Sequence, residues 1–147
     1  MKILRNIYEV MTITLLIVML VLTIIGITKA DGVIPWSFDK EGQPTAHGNE
    51  LLLLIPIGIA LLVNGFITAL QRLNRMRDTE VAMRFKGAMA FVKAHTTLIL
   101  CILNAYLVMG AVRGSMPKGM DAAIIAGFTA SLAFGIIMWK MMKKAFS

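Results

Sequence analysis

Charge is scarce in this chain, and where it is missing matters most. Only 16% of the 147 residues are Asp, Glu, Lys or Arg, where a soluble domain carries about a quarter. Four stretches hold none at all: 10–28, 51–70, 94–112 and 122–139. A soluble fold is excluded, because almost nothing remains outside these runs to cover them. Cysteine is reduced to Cys101, so no internal disulfide can form and the redox compartment is not indicated. No nucleophile elbow, phosphate loop, zinc spacing or dinucleotide fingerprint occurs. The expectation is therefore a protein that is not an enzyme and has no cofactor and no metal. The only set with ligand chemistry is Asp39, Glu41, His47 and Glu50. Its spacing fits no metal template, and solvated loop charges are the default reading.

What is present is apolar. Each run is close to the roughly 20 residues that an α-helix needs to cross the hydrocarbon core. Backbone polar groups cannot stay unpaired in lipid, so each run should be a helix. The first is longer than the apolar core of a signal peptide, about 7–15 residues, and is expected to remain as a span. The expected fold is an all-α integral membrane protein, a single four-helix domain over 1–147. Its spans lie at 8–28, 51–70, 94–112 and 122–140, with a loop at 29–50 and a basic segment at 71–93. Lys and Arg number eleven in the N-terminal tail, second loop and C-terminal tail, against four in the first and third loops. The positive-inside rule then predicts both termini in the cytoplasm and the first loop outside. The net charge of +7 is thus a topology signal. The basic second loop lacks interleaved aromatics, so anionic lipid explains it without nucleic acid.

The 29–50 loop is the one long polar segment between apolar ones. Pro35 and Pro44 restrict its backbone. Asp39-Lys40-Glu41-Gly42 reads as a tight turn with glycine at a positive-φ position. Trp36 and Phe38 alternate with Ser37 and Asp39, which predicts a short extended piece with one apolar face. An ordered loop is expected, and a recognition surface made by Trp36, Phe38, Asp39 and Glu41, shaped by Pro35, Gly42 and Pro44.

Residues 34–44, Ile-Pro-Trp-Ser-Phe-Asp-Lys-Glu-Gly-Gln-Pro, with Gly48 and Pro56 beyond them, carry a resemblance. They resemble a bacterial membrane domain family of unassigned function. That domain also forms the N-terminal part of Sdp-type immunity proteins, which protect a producing cell from its own secreted toxin. The family loop reads Ile-Pro-x-His-Phe-Asn-x-x-Gly-x-Pro-Asp, and Ile34, Pro35, Phe38, Gly42, Pro44, Gly48 and Pro56 match it. Ser37 stands where the family has histidine, Thr45 where it has aspartate, and Glu50 where lysine is common. The resemblance implies a multi-pass protein of the bacterial inner membrane and an immunity or signalling role. Its partner would be a peptide, a lipid or another membrane protein.

The remaining chain supplies packing signals. Glu9 is expected to pair with Arg5 at helical spacing. Pro56 falls in the second turn of the second helix, where it can bend it. Asn64 and Asn104 lie deep in their runs and need partners, with interhelical bonding the default. Thr97, Cys101, Asn104 and Val108 share a face. Asp78 can cap an amphipathic helix in which Val81, Phe85, Ala88, Met89 and Val92 face one way and Lys86 and Lys93 another. That helix should lie along the interface before bending into, or continuing as, the third span. Ala123, Gly127, Ser131 and Gly135 recur every four residues, a seam for close packing within the bundle or between copies in a homo-oligomer. Trp139, Lys140, Lys143 and Lys144 anchor the last span. Two rival functions remain open: an accessory subunit assembled through this seam, and a small oligomeric transporter lined by Asn64 and Asn104.

Overall fold

The computed structural model describes residues 2–73 and 80–146. The element order is α1 (Lys2–Lys29), a hairpin of β1 (Val33–Phe38) and β2 (Pro44–Asn49), a 3₁₀ turn (Glu50–Leu53), α2 (Leu54–Leu73), α3 (Glu80–Arg113) and α4 (Met120–Phe146). Among the described residues, three helical segments are long and apolar enough to cross a bilayer: Arg5–Lys29, Glu50–Arg72 and Ala82–Arg113. The apolar part of α4, Ala122–Ile137, is shorter. The chain therefore has the character of a membrane protein. Ile13, Ile17, Leu62 and Phe66 are exposed, as side chains facing lipid would be.

α3 is the central helix. α1 packs along much of its length and α2 packs beside α1 on the same stripe, while α1 and α2 touch each other less than either touches α3. Met19, Ile57, Ala60 and Cys101 form one buried cluster between the three helices. Ile34, Leu53 and Val108 form a second, under the hairpin. α4 leans on α3 near His95, where the Ser131 hydroxyl lies 3.3 Å from the imidazole Nε2.

Three sequence expectations are sharpened or changed. The short extended piece expected in the 29–50 loop is one strand of a two-stranded antiparallel sheet, so the fold is not purely α-helical. Of the two courses open to the amphipathic stretch after residue 80, it continues as the third helix and does not lie along the interface. It is the first third of one continuous 34-residue helix, α3, and Ala82, Ala88, Ala90 and Phe91 are buried. Asp78 and the side chains of Val81, Trp139, Lys143 and Lys144 lie outside the described residues. Finally, Pro56 falls in the first turn of α2, because the 3₁₀ turn precedes it. There its missing N–H costs little. Asn49 caps the 3₁₀ turn, its side-chain oxygen accepting from the Leu51 N–H at 2.8 Å.

The 39–42 turn is as the sequence predicts. Gly42 has φ +80°, its N–H donates to the Asp39 carbonyl at 3.0 Å, and its own carbonyl accepts from the Met116 N–H at 2.9 Å. A Cβ on Gly42 would lie 1.9 Å from the Met116 carbonyl oxygen. Gly32 has a similar φ of +81° but nothing within 4 Å. Gly32→Ala should therefore cost only the left-handed backbone penalty, about 1–2 kcal/mol. Gly42→Ala should cost more, about 3 kcal/mol, because the contact with Met116 must also open. Thermal unfolding of the two variants in the same detergent checks the difference, and equal losses would contradict it.

Candidate functional site

The hairpin caps the ends of α2 and α3 nearest to it. Ile34, Pro35 and Phe38 are buried. Phe38 meets Tyr106 edge-on at 5.8 Å and lies against Gly110, where an added Cβ would stand 2.7 Å from its ring. The strands pair Pro35 with His47 and then Ser37 with Ala46, so Trp36 is the extra residue of a β-bulge. Bulges re-aim side chains, and this one breaks the expected apolar alternation. Phe38 goes into the core at 8% exposure, while Trp36 stays 49% exposed. Trp36 roofs a recess of about 390 Å³ whose other walls include Leu52, Ile55, Pro56, Leu103 and Leu107.

The other loop residues hold the cap together. The Asp39 carboxylate accepts from the Glu41 and Gln43 N–H groups at 2.9 and 2.8 Å, which builds the turn. Glu41 pairs with Lys118 at 2.9 Å in the loop before α4, with both side chains well exposed. Pro44 starts β2. Of the four expected contact residues, Trp36 presents an open apolar surface and Glu41 is exposed but paired, while Phe38 and Asp39 shape the cap together with Pro35, Gly42 and Pro44. Among the described residues no three of His, Cys, Asp and Glu come together as a metal site; Asp39, Glu41, His47 and Glu50 stay apart.

A second constellation lies between the helices. Lys93 was expected on the outer face of an interfacial helix and Glu9 beside Arg5. Instead Lys93 is only 6% exposed, and its ammonium donates to Glu9 Oε2 at 2.5 Å and to the Thr68 hydroxyl at 3.3 Å. One turn along α3, the Thr97 hydroxyl donates to the Lys93 carbonyl, and the Asn64 amide donates to Thr97 at 2.8 Å and to the Ala60 carbonyl at 2.7 Å. Further along, the Asn104 amide donates to the Thr23 hydroxyl at 2.9 Å and reaches the Leu53 carbonyl at 3.5 Å. Asn64 and Asn104 thus bond across helices as expected. Each keeps a buried carbonyl oxygen, Oδ1, with no protein partner.

Sequence reasoning missed the Glu9–Lys93 pair. The signal was spacing: Lys93, Thr97 and Asn104 fall on one helical stripe, and Glu9 lies at the matching end of α1. The seam on α4 divides. Gly135 packs on the His95 ring, whereas Ala123 and Gly127 are exposed and a Cβ on Gly127 meets nothing within 4 Å. Comparison with protein families, with curated proteins and with solved structures finds no match for the chain.

Removing one partner of a buried ion pair strands the other charge, whereas replacing both can be nearly neutral. Lys93→Met should therefore destabilise by about 1–3 kcal/mol, below the roughly 3–5 kcal/mol of a fully buried pair because Glu9 keeps some contact with water. Adding Glu9→Gln should recover most of that loss. Unfolding of both variants and the wild type in detergent measures this. A double variant as weak as Lys93→Met would mean that Lys93 acts through packing alone.

Proposed function

We propose that this chain is a four-span protein of the bacterial inner membrane that acts by binding, with both termini cytoplasmic and the hairpin outside. α4 supplies the fourth span, and the lysine and arginine count supports the orientation. The ligand is a peptide that lodges an apolar side chain in the recess beneath Trp36. One observation carries this reading: a half-exposed tryptophan, turned outward by a bulge, over an apolar recess in a cap that is otherwise tied down. Pre-ordering of this kind lowers the entropic cost of binding, and exposed aromatics over pockets dominate binding energies. The loop resemblance to Sdp-type immunity proteins, which meet a secreted toxin at the cell surface, agrees with a peptide ligand. The absence of catalytic motifs agrees with a non-enzymatic role.

A second reading has its own observation. Ala123 and Gly127 leave the outer half of the α4 seam open, which suits an accessory subunit docking a helix there.

Trp36→Ala should weaken capture of a peptide ligand by about tenfold or more, the loss typical of a hot-spot aromatic, with protein levels in the membrane unchanged. Binding that survives the substitution would remove the recess from the reading. Gly127→Leu should leave that binding intact; if it instead releases a stoichiometric membrane partner on gentle extraction, the accessory reading is the right one.

A further inference from the structure

A two-stranded hairpin has two outer edges, and here they differ. β1 packs on α3, and among the described residues no helix packs on β2 in the same way. The Pro35 carbonyl is turned toward α3, 3.1 Å from where a Cβ on Gly110 would stand. Proline has no N–H, so covering the β1 edge strands no donor at that position. On β2, by contrast, Thr45, His47 and Asn49 are exposed.

The ladder defines which backbone groups β2 leaves open. The Glu50 N–H donates to the Gly32 carbonyl at 3.3 Å. The same register then pairs Val33 with Asn49, Ile34 with Gly48 and Pro35 with His47. Hydrogen-bonded and non-bonded pairs alternate in an antiparallel ladder. Ile34 and Gly48 are therefore a bonded pair and Pro35 and His47 are not, so the N–H and C=O of His47 point away from β1. They form a donor and an acceptor side by side on an uncovered edge, which is what an added strand pairs with. At the turn end Pro44 offers no N–H, which confines such pairing to the part of β2 around Gly48.

Gly48 ties this edge to the recess. A Cβ there would stand 2.4 Å from Leu52 and 3.3 Å from Trp36. These two walls of the recess thus lie on the face toward which a residue at 48 projects. In an added strand, the residue opposite Gly48 projects to that same face. Its neighbour, opposite His47, supplies the backbone bonds.

We propose that the peptide ligand docks as a third strand, antiparallel to β2, with its backbone paired to His47 and an apolar side chain opposite Gly48 entering the recess. This rests on the reading of the recess as a peptide site and adds the conformation, register and backbone chemistry of the ligand. Antiparallel pairing continues the hairpin's own ladder and is the more stable kind per residue.

The probe is a displayed library of random heptapeptides, selected on the full chain in detergent micelles. Enriched sequences are then synthesised with each backbone nitrogen methylated in turn. Methylation of the residue facing His47, next to the apolar one, should lower affinity about tenfold or more. The apolar residue itself should tolerate methylation, because its N–H points away from β2. His47→Pro should lower capture by a similar factor while the hairpin keeps its ladder, since that N–H faces outward. His47→Ala should leave capture unchanged. Equal tolerance of methylation at every position would overturn the strand, whatever His47→Pro does to folding. Alternating sensitivity that ignores Trp36→Ala would keep the strand and remove the recess. Capture that needs Trp36 but shows no alternation would do the reverse, and a library with no enriched sequence would overturn both. A dimer in native mass spectra that His47→Pro dissociates would assign the edge to a second copy and overturn the peptide.

Discussion

A polar side chain surrounded by apolar helices must find its partner on a neighbour, and this requirement sets the register of the bundle. α3 presents Lys93, Thr97 and Asn104 along one stripe. Glu9 and Thr23 answer from α1, Asn64 and Thr68 from α2. Apolar contacts alone would let helices slide, since lipid tails are as apolar as leucine. Each interhelical hydrogen bond contributes only about 0.6 kcal/mol on average, up to about 1.7. Their value lies in specificity: shifting any helix by one turn would break several of them together.

With α1 and α3 pinned side by side, the rest follows. Glu9 meets Lys93 at one end and Thr23 meets Asn104 nearer the other, so α1 and α3 run parallel, with α2 returning between them. The hairpin is the connection that lets α1 hand over to α2 across the end of α3. It contributes Ile34 to the core and seats Phe38 on Tyr106 and Gly110.

Much of this was legible in the sequence, and the exceptions have physical causes. Uncharged runs located the helices because the bilayer imposes one solution on the backbone. Asp39 and Gly42 announced their turn because positive φ is a demand on residue type. The buried amides Asn64 and Asn104 were legible as helix–helix contacts for the same reason. The bulge at Trp36 was not legible, since alternation of apolar residues predicts a face only while register holds. Lys93 was not legible either: a lysine at the edge of a span reads as a solvated charge unless its distant partner, 84 positions away, is already in view.

The contact between Gly42 and Met116 also bears on biogenesis. It joins the first connection of the chain to the last across 74 residues, 116 less 42. During synthesis the hairpin's seat does not exist until Tyr106 and Gly110 are in place, and its clasp not until Met116 is made. Closure of the cap therefore requires α3 to be complete. A nascent chain stalled before that point would display Phe38 and Ile34 on an unseated hairpin, the kind of exposed apolar surface that quality control recognises.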